Sequence, residues 1–326
     1  MRFWKRKPLQ QVFGGPMPVR FASGQPTITN NRRLMRWANT GATDAVLVED
    51  GFLRSRGLGA DLVAPLSLVL DDLGIYYDCT RPSRLEVLIE ASESLTPSER
   101  ARAEALITRI TDAGLSKYNL AGDPVPDLPK GRRILVPGQV ADDASIKLGT
   151  TTVADNATLL KTVREANPAA VILYKPHPDV EAGLRDGAVP NADQFADVVL
   201  SGTDPTAAIN AVDEVWTMTS LLGFEALLRG KEVTCLGMPF YAGWGLTDDR
   251  DMPIPRRAAL VDLTALVYAT LIAYPRYFDP ITRLACPPEV IVDRIENNDL
   301  PKRGPANRAL AKLQGLFASY AYIWRR

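Results

Sequence analysis

The segment Tyr174-Lys175-Pro176-His177-Pro178 sets an ammonium two positions from the only histidine of the 326-residue chain. Pro176 and Pro178 fix the backbone around the imidazole, because each proline locks its own φ and restricts the residue before it. The apolar run Ala170-Val171-Ile172-Leu173 leads into it as a strand would. A rigid cation and imidazole at a strand's carboxyl end could hold an anion at the mouth of an α/β sheet. The same residues also suit a histidine packed at a strand end. Thr219-Ser220 precedes the helical stretch Leu221 to Arg229, where free N–H groups and the helix dipole favour a phosphate. Ordinary capping explains these hydroxyls equally well. Lys175 and His177 could donate to the same phosphate, and Glu225, inside that helix, is placed to reach ribose hydroxyls.

Two acidic pairs follow apolar runs. Glu49-Asp50-Gly51 closes the strand-like Asp44-Ala45-Val46-Leu47-Val48, and Asp142-Asp143 comes shortly after Arg133-Ile134-Leu135-Val136-Pro137. Glycosyl transfer needs one carboxylate to manage the acceptor proton, and a retaining double displacement needs a second as nucleophile. Solvated turns collect acidic residues too, and Asp71-Asp72-Leu73-Gly74 reads as such a turn.

The elements that would carry these groups follow from pattern. Helices are expected over Ser83–Ala91, Pro97–Ala113, Asn156–Asn167 and Asp204–Asn210, and strands over 171–173, 214–218 and 233–237. Gly230 is expected to close the helix that begins at Leu221. A strand over 17–22 and a basic helix over Asn31–Asn39 are expected near the start. The order strand, helix, strand after residue 132 indicates parallel βαβ units. Three prolines and a glycine between Asp123 and Gly131 mark a linker. The expected organisation is α/β, with a domain over 1–122, the linker over 123–131, a ligand-binding domain over 132–275, and a helical tail over 276–326 packed back on the body.

Composition narrows the functional classes. The 38 basic residues balance the 38 acidic ones, so no nucleic-acid partner is expected. Cys79, Cys235 and Cys286 are odd in number and far apart, which fits a reducing compartment and gives no metal-binding spacing. No run of eighteen apolar residues exists, and no apolar signal core follows the basic start Met1–Lys7. The expectation is a cytoplasmic protein attached at most to a membrane surface, either way with its amphipathic 305–326 stretch packing on the protein or lying on lipid.

Longer strings carry a resemblance. Glu49-Asp50-Gly51 followed by His177-Pro178 is similar to the acidic-acidic-Gly and His-Pro motifs of bacterial CMP-sugar transferases. The stretches 49–59, 138–146, 174–180, 218–230 and 239–247 resemble, in order, those of the capsule polysaccharide β-Kdo transferase family of the KpsC type. The resemblance implies a GT-B-like fold, two Rossmann-like domains facing a cleft. It implies CMP-β-Kdo as donor, a retaining transfer to a Kdo-terminated (lyso)phospholipid linker, and no metal or other cofactor. Asp143 matches the nucleophile, and Glu49 the acid/base, with Asp50 as its alternative. His177 and Ser220 match CMP-phosphate contacts, with Lys175, Pro178 and Thr219 beside them and Glu225 on the ribose. Gln139, Ser145 and Arg54 fall in the motif strings as cleft residues. Tyr241 to Gly245, with Trp244 among them, would form a cleft wall or a structural loop. A glycolipid acceptor and capsule assembly enzymes at the inner membrane are the implied partners. KpsC proteins join two such modules, whereas this sequence holds one. The competing readings are transfer of another CMP-activated nonulosonate such as sialic acid, and a non-catalytic capsule assembly or export accessory.

Overall fold

The computed structural model describes residue 10 and residues 34–38, 45–57, 63–119 and 122–301. The strand expected over 17–22 and the amphipathic stretch 305–326 lie outside the described residues.

The second half of the chain builds a six-stranded sheet from β4 (Arg133–Pro137), β5 (Val171–Lys175), β6 (Val198–Val199), β7 (Glu214–Thr217), β8 (Glu232–Cys235) and β9 (Asp248–Asp249), in the order β6-β5-β4-β7-β8-β9. Every pairing is parallel, with Leu135 opposite both Leu173 and Val215. Numbered from its own first strand, this is the 3-2-1-4-5-6 order of a dinucleotide-binding fold. The strands are continuous apolar runs because both faces are covered. Leu135, Leu173 and Val215 face one core cluster, while Ile134, Val136, Ile172 and Trp216 face another, as the two-residue strand period requires.

The other sheet is different. It runs β1-β2-β3-β10-β11 through β1 (Met35–Trp37), β2 (Val46–Asp50), β3 (Ser67–Asp71), β10 (Pro275–Asp279) and β11 (Leu284–Cys286). Only β1 and β2 pair in parallel; the remaining pairings are antiparallel. The Rossmann-like description therefore fits the second sheet, and the first is mixed among the described residues. Two expectations are corrected. Residues 35–37 of the expected basic helix form β1, since pairing with β2 overrides a weak helical pattern. Residues 276–279 and 284–286 of the expected helical tail are strands, because the chain crosses back to complete the first sheet beside β3. Asp71 anchors that return: its buried carboxylate accepts from the N–H groups of Leu73, Gly74 and Arg84 and from the Tyr274 hydroxyl.

Helices α1 (Arg84–Ala91) and α2 (Pro97–Asp112) begin with reciprocal capping boxes, Ser83 with Glu86 and Thr96 with Glu99. Helices α3 (Ala144–Gly149), α4 (Asn156–Ala166), α5 (Pro178–Glu181), α6 (Pro205–Asn210) and α7 (Leu221–Leu228) belong to the parallel half. Gly230 sits at φ +67°, the left-handed conformation that ends α7. Helix α8 (Leu263–Val267) runs into a π-helical turn, Tyr268–Ala273, packed on α1 and α2. Helix α9 (Pro288–Glu296) is tied to α2 by Arg102–Glu289 and by Arg109 with Asp293 and Glu296.

One hydrophobic cluster runs from Leu47, Val69 and Leu85 to Val215, Phe224 and Tyr241, so the two sheets share a core. Its centre is aromatic: the Phe240 ring lies 4.7 Å from Phe52, 5.4 Å from Phe224 and 5.1 Å from Tyr241. Beside it, the buried Arg257 joins Glu86 at 2.7 Å and donates to the carbonyls of Pro239 and Ala242. No helix among the described residues is long and apolar enough to cross a membrane.

Candidate active site

Ligands of open α/β sheets bind outside the carboxyl ends of the strands, where strand order reverses. Here the reversal lies between β4 and β7, and a cavity of about 220 Å³ opens there, lined by residues from both halves of the chain. The parallel half supplies Gln139, Asp143, Ser145, Lys175, His177, Pro178, Thr219, Ser220 and Glu225. Nine of the expected residues, separated by as many as 86 positions, thus meet at one place.

Each is held by local structure. Asp143 is the N-cap of α3, and its Oδ1 accepts from the Ser145 N–H at 2.9 Å. The structure separates it from its neighbour: Asp142 is exposed and paired with Arg185, whose hydrogen bond holds its carboxyl below the ordinary range. Of that acidic pair, only Asp143 faces the cavity.

A bracket closes the gap between β4 and β7. Gln139 Oε1 accepts from the Thr219 N–H at 3.0 Å, its Nε2 donates to Thr219 Oγ1 at 3.0 Å, and Ser145 Oγ lies 2.9 Å from the same hydroxyl. These side chains therefore satisfy one another. Ser220 caps α7, with its Oγ accepting from the Leu222 N–H.

His177 caps α5 through Nδ1, which accepts from the Asp179 N–H at 3.1 Å. An accepting Nδ1 leaves the proton of the neutral imidazole on Nε2. Burial pushes the imidazole below its ordinary value, outweighing the opposing charges of Asp179 and Asp143. Lys175, 3% exposed, is likewise lowered by burial, with Glu181 and Asp204 opposing. Its ammonium has no hydrogen-bond or ion-pair partner among the described residues. Glu225 accepts from the Lys117 N–H at 2.8 Å, and burial raises its carboxyl.

Several expected residues do not line the cavity. Asp50 is committed to the buried Arg54 at 2.5 Å, so neither is a wall residue. Glu49 accepts from the Asp50 N–H at 3.0 Å. It is near enough that its charge, after burial, contributes to raising the hydroxyls of the wall residue Tyr77 and, more weakly, Tyr76. Tyr241 and Trp244, expected as a cleft wall or a loop, are fully buried. They pack in the core because Tyr241 donates to the Ser220 carbonyl and Trp244 to that of Phe240. Gly223 makes this approach feasible, since a Cβ there would meet the Tyr241 oxygen at 2.3 Å. Tyr241 thus props the start of α7 from behind, and Pro239 and Phe240 form the wall instead.

The opposite wall holds residues that sequence reasoning missed: Tyr76, Tyr77, Ser116, Lys117 and Tyr118. The tyrosine pair just past the Asp71 turn was a readable signal. Lys117 was not, lying in an unpatterned stretch after α2.

The arrangement offers two cavity-lining carboxyl groups, Asp143 and the buried Glu225, with two ammonium groups, a neutral imidazole donor and a helix N-terminus. Such a set suits an anionic ligand with a nucleophile beside it. The family model described as "Capsule polysaccharide biosynthesis protein" matches residues 26–128 and 124–277. The capsule polysaccharide modification protein LipA of Neisseria meningitidis serogroup A is 40% identical over 98% of this chain and 49% of its own length. The lipopolysaccharide-processing protein LpsZ of Rhizobium meliloti is 49% identical over 71% of this chain and 53% of its own. The chain spans about half the length of these curated relatives. Among solved structures, the KpsC β-Kdo 2,7-transferase of Thermosulfurimonas dismutans matches with a TM-score of 0.73 and 34% identity, covering 92% of this chain and 98% of that one. The β-Kdo 2,4-transferase of the same organism matches at 0.70 and 37%, covering 77% and 79%. The chain has the GT-B-like α/β architecture of these neighbours, and it belongs to the capsule polysaccharide biosynthesis protein family.

Proposed function

We propose that this chain is a retaining β-Kdo glycosyltransferase that moves Kdo from CMP-β-Kdo to a Kdo-terminated glycolipid in capsule synthesis. The observation that carries this reading is the placement of Asp143 beside Lys175, His177 and the start of α7 in one cavity at the strand-order reversal. The 34% identity to a β-Kdo 2,7-transferase across 92% of the chain supports it.

The donor phosphate sits against the His177 Nε2–H, the Lys175 ammonium and the N–H groups opening α7, with Glu225 on the ribose. Asp143 Oδ attacks the anomeric carbon C2 of Kdo, forming a C2–O bond as the C2–O bond to phosphate breaks and CMP leaves with the electron pair. The acceptor hydroxyl then attacks C2 from the opposite side, its proton passes to Glu49, and the Asp143 carboxylate is released. Two displacements at C2 retain its configuration. Side-chain cations and backbone N–H groups stabilise the leaving phosphate, so the step calls for no metal ion. The acceptor would be met at the inner face of the inner membrane.

The test is incubation with CMP-Kdo and a synthetic Kdo-terminated lipid, with linkage read by NMR and CMP-sialic acid run as a parallel donor. The expected result is a β-linked Kdo product, and Asp143→Ala abolishes it while CMP still binds. Turnover of CMP-sialic acid alone would move the assignment to the other nonulosonate. No turnover of either donor would favour an accessory role.

A further inference from the structure

The cavity takes cations from both halves of the chain, and the function proposed above assigns the phosphate to those of the parallel half. Lys175 and His177 project from the parallel sheet. Lys117 comes from the segment after α2, held by three backbone bonds: its carbonyl accepts from the N–H groups of Arg54 and Ser55, and its own N–H donates to Glu225. That segment is pinned between the loop after β2 and α7, so the stem of Lys117 starts from a fixed point. Its ammonium lines the cavity, 5.3 Å from the Tyr118 ring centroid. No carboxylate lies within ion-pair distance of it among the described residues, and no acceptor takes its protons. Burial opposes its charge, but Tyr118, Tyr76, Asp50 and Glu49 together raise the ammonium above the ordinary lysine range. A charged, half-buried ammonium beside a cavity, with no ion-pair partner among the described residues, is poised for an anion from outside.

Resting on the function proposed above, we propose that Lys117 binds the C1 carboxylate of the 2-ulosonic acid donor and so selects sugar acids over neutral sugars. The donor carries two anions on its reacting carbon, the leaving phosphate and the carboxylate. They must diverge from C2, and cations on two walls match that divergence. A nucleotide without the sugar acid has no group for Lys117 to hold.

The experiment compares wild type, Lys117→Met, Lys117→Arg and Lys175→Met in CMP-Kdo turnover, with free CMP as competitive inhibitor. For Lys117→Met the expected result is a 10- to 100-fold fall in kcat/KM, the size of a lost charge-assisted contact. Inhibition by CMP should change less than about 3-fold, and Lys117→Arg should recover part of the loss. Lys175→Met should instead weaken CMP inhibition. Equal weakening of CMP inhibition and of donor use by Lys117→Met would assign it to the phosphate and overturn the inference. Unchanged kinetics would also overturn it. Matching denaturation midpoints for Lys117→Met and wild type exclude a folding defect, and a Met variant that fails to fold leaves Lys117→Arg to decide by its KM. Wild type inert toward CMP-Kdo overturns the function and this inference together, whereas an active wild type with unchanged variants overturns this inference alone.

Discussion

The two walls of the cavity are built on different principles. The parallel wall takes its polar groups from strand ends and helix starts, where backbone geometry presents them: Asp143, His177 and Ser220 are all N-caps. The facing wall takes Tyr76, Tyr77 and Lys117 from loops whose positions depend on tertiary contacts, chiefly the aromatic cluster around Phe240 and the bonds to Arg54, Ser55 and Glu225. One wall is fixed by local structure and the other by packing. Substitutions in the first should therefore change chemistry with the fold intact, while many in the second should change stability as well.

The sharpest test of that difference is Asp143→Asn. Asparagine caps a helix as well as aspartate does, so α3 should persist while transfer falls by more than about 10³-fold. Single-turnover rates and the thermal midpoint check both halves. Loss of the fold would break the comparison. Next comes the acidic pair on β2. Glu49→Gln should lower kcat by about 10²- to 10⁴-fold at near-normal stability. Asp50→Asn should act mainly on stability, because it leaves the buried Arg54 without its carboxylate. Reversed outcomes would transfer the acid/base role to Asp50.

Away from the chemistry, Arg257→Met should cost about 3 kcal/mol in chemical denaturation, since it leaves the buried Glu86 carboxylate with only Arg256 and the Ser83 N–H and frees two carbonyls. Gln139→Ala removes the bracket on the Thr219 N–H and should cost about 1–3 kcal/mol with weaker CMP binding. The smallest effect belongs to His177, the only histidine, which gives a single imidazole signal to follow by NMR. Its midpoint should lie below 6.5 because burial favours the neutral ring. With the folded value depressed below the unfolded one, the stability it contributes is present above 6.5 and lost as pH falls through the folded midpoint. A midpoint above 6.5 in the free protein would contradict the accepting role of Nδ1.

Legibility in the sequence follows the same division. Strand-to-helix junctions announce themselves through apolar runs, capping residues and glycines, so the parallel half and the nine residues around its mouth were readable in advance. The return of β10 to pair with β3 was not, because antiparallel partners more than 200 positions apart leave no local trace. Nor was the burial of Tyr241 and Trp244, since an aromatic motif looks alike on a cleft wall and in a core. The choice of Asp143 over Asp142 rested on the resemblance alone, and its physical reason needed three dimensions: the N-cap of α3 lines the cavity while its neighbour is exposed and paired with Arg185.

The bracket of Gln139, Thr219 and Ser145 has a thermodynamic consequence. Its side chains surrender their rotational freedom when the chain folds, so that part of the cradle meets a ligand with nothing left to order. Lys175 is already packed at 3% exposure, whereas Lys117, half-buried and without an ion-pair partner among the described residues, has more of its stem left to order when an anion arrives, at roughly 0.5–1.5 kcal/mol. Ligand binding should therefore carry an entropic cost concentrated in the Lys117 stem, and the temperature dependence of affinity would reveal it.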